Sequence, residues 1–353
     1  MAVVTIIGSG MMGSALAFPA RENGNEVRLV GTHLDREIIN TCVKTGRHPK
    51  FDRDFPAGVT YHQIEEVQDA IAGADLIIGG VSSFGVEWFA ETILPLIPEE
   101  IPVLTVTKGL FDEPDGTLST YPAYFEKKLA SLGKTLSMNA VGGPCTSYEL
   151  VAHDQTEVFF CGRDLKILEK IRKIMETDYY HVGITTDVVG IESAVALKNG
   201  YALGIALTIG LNHRHFGDET LHYNSQAAVF GQSVREMAKL LEYQGASDLN
   251  NLAVGLGDLY VTVYGGRTRL IGILLGEGLP IEEAKAKLNG VTLESLVVAG
   301  RVARAVRIAA ANGKLDASDF PLLFHIDDIL TNHKDAELPW EAFRGEKNKE
   351  ASL

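Results

Sequence analysis

Six residues near the N-terminus, Gly8-Ser9-Gly10-Met11-Met12-Gly13, carry the pattern G-x-G-x-x-G, and they constrain the fold more than any other part of the chain. They stand between an apolar, β-branched strand candidate, Ala2 to Ile7, and a helix candidate, Ser14 to Asn23, that Gly24 ends. A second strand, Glu26 to Val30, follows at the right distance for a βαβ unit. Each glycine has a mechanical reason. The first permits the tight turn, the second lets a ligand's pyrophosphate approach the backbone, and the third lets helix and strand pack closely. The phosphates would rest on the free N–H groups at the helix start, where the dipole favours negative charge. Gly8, Ser9, Gly10, Met11, Met12 and Gly13 are therefore read as a cradle for a nicotinamide dinucleotide. The second strand ends in Gly31-Thr32-His33 rather than in the Asp or Glu that usually bonds an NAD ribose. Thr32 and His33 are candidates for the ribose end, and the cofactor is NAD or NADP.

The 353 residues exceed what one hydrophobic core usually serves, which predicts two domains. A net charge of −14 argues against nucleic acid or an anionic membrane surface as partner. Cys42, Cys145 and Cys161 are widely spaced and match no disulfide or zinc pattern, and the ten histidines form no metal-ligand spacing. With no basic leader ahead of the first strand and no apolar run expected to span a bilayer, a cytoplasmic protein is expected.

Further strand candidates are Ala74 to Val81, Val103 to Val106, Thr135 to Val141 and Glu157 to Cys161, with a helix expected over Val86 to Ile97. Such alternation implies a mostly parallel sheet covered on both faces, whose ligands bind at the carboxyl ends of strands. Ser82, Lys108 and Gly143-Pro144 all follow strands and are expected to border one cleft. Beyond residue 188 the pattern becomes helical: Val189 to Leu211, Ser225 to Gln244, Val254 to Tyr264, Ile281 to Leu288 and Leu293 to Asn312. The expected architecture is an α/β Rossmann-type N-terminal domain over residues 1–189 followed by an all-α C-terminal domain over 190–345. Residues 346–353 form a polar tail expected to fray.

Lys198 lies in an otherwise apolar helix, where desolvating an ammonium is costly, so its placement points to proton transfer or to a stem covering a groove. Asp258 follows Gly255-Leu256-Gly257 and shares a helix face with Thr262. It either holds a buried lysine or caps a helix. Gly265-Gly266-Arg267-Thr268-Arg269 joins glycines to arginines, a combination that grips phosphate or ends a solvated loop. Arg301, Arg304 and Arg307 recur at three-residue spacing and read as a solvated face; His33 and His213 read as surface residues on the same plain grounds.

Together GSGMMG at 8–13, TKG at 107–109, GGP at 142–144, ALKN at 196–199 and GLGDLYVTVYGGRTR at 255–269 resemble the NAD(P)-dependent glycerol-3-phosphate dehydrogenases nearly end to end. The resemblance implies a homodimer that interconverts dihydroxyacetone phosphate and glycerol 3-phosphate. It implies Lys198 as general acid/base, with Lys108, Asp258 and Thr262 polarising and orienting the site. It makes Arg267 the clamp on a small phosphorylated substrate, Asn199 a neighbour of substrate or cofactor, and Glu294 a cofactor contact alongside Ser82. The chain departs from the family after Gly-Pro, where Cys145, Thr146 and Ser147 stand. It departs again at Thr268, where the family has Asn, and at Gln232, where it has Arg. With Cys145 and Thr268 at the expected substrate site, the same chemistry on a related polyol phosphate or sugar-acid substrate is an alternative. A non-catalytic cofactor-binding regulator is a third reading.

Overall fold

The computed structural model describes residues 1–217, 222–289, 291 and 293–344; the tail expected to fray lies outside them. They divide into two compact units, Met1–Lys108 with Thr120–Glu192, and Gly109–Ser119 with the chain from Ser193 onward.

The first unit is built on an eight-stranded sheet. Its strands are β1 (Val3–Ile7), β2 (Glu26–Val30), β3 (Val59–His62), β4 (Leu76–Gly79), β5 (Val103–Thr105), β8 (Met138–Gly142), β9 (Thr156–Gly162) and β10 (Tyr180–Thr185), in the order β10-β9-β8-β5-β4-β1-β2-β3. From β3 to β8 the strands are parallel, and β9 turns antiparallel to β8. Strands covered on both faces read as continuous apolar runs. Thus β4 is buried throughout, which is why it was legible, whereas β10 alternates buried Tyr180 with exposed His181 at the sheet edge. The helix expected over Val86 to Ile97 is instead a short α turn, a π turn over Phe89–Ile93 and a 3₁₀ turn over Leu94–Leu96. Pro95, lacking an N–H, cannot continue the α-helical ladder there.

The second unit is helical: Tyr223–Tyr243, Leu249–Gly265, Arg267–Gly276, Ile281–Lys287, Glu294–Ala311 and Pro321–Asn332 pack beside the Val188–Phe216 helix from Ser193 on. That 29-residue helix is long and apolar enough to cross a membrane by composition, yet 94% of its most apolar window is buried inside the protein, as a core helix is. A two-stranded hairpin, β6 (Leu110–Asp112) and β7 (Leu118–Thr120), was not anticipated, and its residues up to Ser119 join the helices. The three arginines read as a solvated face explain why. Arg301 donates to the Leu110 carbonyl and lies over the Phe111 ring, and Arg304 forks onto Asp112. Arg307 bonds Asp327 and covers Phe324. His213, too, is engaged rather than merely solvated, with Nδ1 2.9 Å from Glu277.

A buried carboxylate locks this helical packing. Glu236 accepts from the backbone N–H groups of Leu322 and Leu323 at 2.8 and 2.9 Å, capping the Pro321–Asn332 helix, and from Gln232 Nε2 at 2.7 Å. Burial pushes its carboxyl up to about 7 against the pull of these donors. The departure at Gln232 therefore serves this cluster, since its amide oxygen also accepts from Arg235. Glu236→Ala should cost roughly 2–4 kcal/mol in urea unfolding, because two buried helix-end donors lose their acceptor. A change under about 0.5 kcal/mol would show the cap to be dispensable.

Candidate active site

The glycine loop joins β1 to the helix Met11–Glu22 as the motif requires. Gly8 has φ +112°, and a Cβ on Gly13 would lie 2.2 Å from the Gly8 carbonyl oxygen, so neither position admits a side chain. Gly10 differs: a Cβ there would meet nothing within 4 Å, and as helix N-cap it makes no side-chain capping bond. Its face is the open cradle that a pyrophosphate needs, above N–H groups at a helix start. The residues present fit a dinucleotide.

The strand end after β2 carries no acid in sequence, but the fold supplies one. Asp35 turns back so that one carboxylate oxygen accepts from Ser9 N at 3.2 Å and from Thr32 N and Oγ1, both at 2.9 Å. Asp35 carries no role from sequence because it lies beyond the strand end; the available signal was the hydroxyl turn at Thr32, whose Oγ1 accepts from Leu34 N at 3.2 Å. His33 is exposed beside Trp88, with ring centroids 5.4 Å apart.

Across the strand ends of this unit, Thr107 Oγ1 donates to the Val81 carbonyl at 2.6 Å and Lys108 Nζ donates to the Gly143 carbonyl at 2.9 Å. These bonds draw the segments after β4, β5 and β8 together, so Lys108 and Gly143-Pro144 do neighbour one another. Cys145 is half-buried next to them in sequence, and Ser82 is exposed at the start of a 3₁₀ turn.

In the helical unit, Lys198 Nζ is ion-paired with Asp258 Oδ1. The lysine side chain keeps 12% exposure and the aspartate none. Packing explains the pairing. Gly255, one turn before Asp258, sits against Ala194, one turn before Lys198, where a Cβ would approach the Ala194 Cβ to 2.8 Å. Only a glycine lets the two helices come that close. Asp258 is mid-helix in Leu249–Gly265, and Asp248 is the N-cap, donating no proton but accepting from Asn250 N. The capping reading of Asp258 is thereby corrected. Thr262 is buried and donates to the Asp258 carbonyl at 2.7 Å, which fixes its hydroxyl beside the pair. Asn199 is buried next to Lys198 in sequence.

Gly266-Arg267 is a helix start, not a loop end: Arg267–Gly276 is helical with Gly266 as an N-cap that makes no side-chain capping bond. Arg267 is 57% exposed, with Glu294 3.9 Å away. Thr268 is buried, and Arg269 holds a buried Nε without a hydrogen-bond partner among the described residues. Arg267 and Arg269 both lie in the first turn of this helix, where the dipole is positive, a fitting place for phosphate. Glu294 stands with Arg267.

A glycine-loop parallel sheet together with a helix-borne lysine–aspartate pair defines a nicotinamide-dependent dehydrogenase of two-unit construction. Residues 3–167 match the NAD-dependent glycerol-3-phosphate dehydrogenase N-terminus and residues 187–340 its C-terminus, so the chain belongs to that family. It is accordingly an oxidoreductase that works with NAD or NADP. An NADP(+)-dependent glycerol-3-phosphate dehydrogenase of Archaeoglobus fulgidus is 34% identical over 288 residues, 81% of this chain and 84% of that one. A glycerol-3-phosphate dehydrogenase [NAD(P)+] of Desulfotalea psychrophila is 25% identical over 98% of this chain and 97% of its own. The fold is shared with the glycerol-3-phosphate dehydrogenase of Coxiella burnetii, at TM-score 0.78 and 23% identity over 97% of this chain and 98% of that one.

Proposed function

We propose that the protein interconverts glycerol 3-phosphate and dihydroxyacetone phosphate, with Lys198 as the general acid/base. The observation that carries this reading is the Lys198–Asp258 ion pair in an otherwise apolar helix packing. When bound, the nicotinamide supplies or accepts the hydride at the substrate's C2. Lys198 gives its ammonium proton to the carbonyl oxygen in reduction and takes it back in oxidation. Asp258 aims the lysine, and Thr262 holds the aspartate's stretch of helix in register. Lys108 helps to polarise the substrate, as the family resemblance implies. Arg267, with the helix start that Thr268 shares, grips the phosphate, and Asn199 and Cys145 border the substrate. Gly8 to Gly13, Thr32, His33, Ser82 and Glu294 serve the cofactor. The working form is a homodimer.

The test is nicotinamide absorbance with dihydroxyacetone phosphate and, in parallel, four-carbon ketose phosphates. Robust turnover of the three-carbon substrate supports the reading. Turnover confined to the longer compounds would shift it to a related polyol phosphate, the reading favoured by Cys145 and Thr268 in place of the family's residues. Silence on every substrate would leave a cofactor-binding regulator.

Asp35 bears on the cofactor. Its carboxylate beside Ser9 and Thr32 repels a ribose 2′-phosphate, so Asp35→Ala should improve the KM for NADPH relative to NADH by roughly tenfold. An unchanged ratio would place the carboxylate outside the ribose site.

A further inference from the structure

Glu192, the fifth residue of the Val188–Phe216 helix, has a side chain that is wholly buried, and neither carboxyl oxygen has a hydrogen-bond partner among the described residues. A buried carboxyl left this way is costly unless it is neutral or answered by a cation. The cation acting on it is Lys108, whose ammonium already donates to the Gly143 carbonyl. Both residues belong to the first compact unit.

We propose that Glu192 is a positioning residue for the reaction, a buried carboxyl whose gain and loss of a proton sets the net charge that the Lys108 site presents to an anionic substrate. The proposal rests on the function proposed above. With Glu192 neutral and Lys108 protonated the pair carries one positive charge; with both ionised it carries none. A phosphorylated substrate is drawn to the first state and not to the second. The other groups facing Glu192 do not compete for this role. Cys161, from β9, is fully buried, and its desolvated thiol is held well above the ordinary range; Asp187, just ahead of the helix, acts on that thiol. Burial pushes the Glu192 carboxyl up to about 8, and Lys108 pulls it back.

Two readouts test this. The first is the infrared band of a protonated carboxyl, followed as pH rises, in wild type, Glu192→Gln and Lys108→Met. The wild-type band that Glu192→Gln removes should titrate away near the value of about 8, and Lys108→Met should raise its midpoint by roughly a pH unit. An absent difference band, or a midpoint indifferent to Lys108, would overturn the pair. The second is KM for dihydroxyacetone phosphate across the same range. It should rise about tenfold in the wild type as Glu192 ionises and stay nearly flat in Glu192→Gln, with kcat following the same course in both. Parallel KM curves would reduce Glu192 to a structural residue. Glutamine preserves the side chain's volume, so circular dichroism should report an intact fold. Because the infrared titration needs no turnover, a wild type silent toward glycerol 3-phosphate would sink the proposed function while the charge pairing of Glu192 with Lys108 is still decided.

Discussion

Lys198→Ala is expected to lower kcat for dihydroxyacetone phosphate reduction by about 10²–10⁴-fold, the range in which a positioned general acid contributes. Dinucleotide affinity should stay nearly unchanged, because the pyrophosphate cradle is Gly8 to Gly13 and does not include Lys198. The same substitution removes the ion-pair partner of a fully buried aspartate. Breaking a buried pair on one side typically costs about 3–5 kcal/mol, so the variant should also unfold at lower urea concentration. Lys198→Met combined with Asp258→Leu separates the two effects: it removes both charges, should recover much of the stability, and should remain inactive. Equilibrium unfolding together with single-turnover kinetics gives the decision. Normal turnover in Lys198→Ala would remove the lysine from the chemistry. An equally unstable double variant would mean that the pair's burial is not the source of the stability loss.

Arg267→Ala is expected to raise KM for the phosphorylated substrate by roughly 100-fold and to change kcat much less. A hydrogen bond to a charged group is worth about 1.5–3 kcal/mol, and each 1.4 kcal/mol is a factor of ten. Phosphate lies away from the reacting carbon, so its grip is shared by ground and transition states, which places the loss in KM. Because Arg267 is more than half exposed and only loosely paired with Glu294, its removal should leave the unfolding free energy within about 0.5 kcal/mol of wild type. Arg267→Lys should recover only part of the affinity, since an ammonium cannot fork onto two phosphate oxygens. A KM that does not move would place the substrate's phosphate elsewhere.

Much of the scaffold could be read from local pattern. The glycine loop, β1, β4 and β5 were legible because doubly covered parallel strands are mostly apolar and end at glycines or polar turns, and β2, with Glu26 and Arg28 in it, because it stands at the βαβ distance from the loop. The change to helices near residue 190 was legible for the same reason, as a change of period. Edge elements were not: β3 and β10 are half polar, and the β6–β7 hairpin is held by Arg301 and Arg304, nearly two hundred residues away. Those arginines look solvated when judged by spacing alone.

The site divides along the same line. Motif spacing was enough to single out Lys198, Asp258 and Arg267, because a lysine in an apolar helix and arginines beside glycines are anomalies visible within a few residues. That Asp258 is the partner of Lys198 and not a helix cap was settled by the approach of Gly255 to Ala194, which brings together Lys198 and Asp258, 60 positions apart. Asp35 folding back onto Ser9, and Glu192 buried with no hydrogen-bond partner among the described residues, are likewise products of packing. A sequence states which side chains are available and with what period they recur. Which of them lose water, and against which charge, depends on surfaces that distant segments make only when they close together.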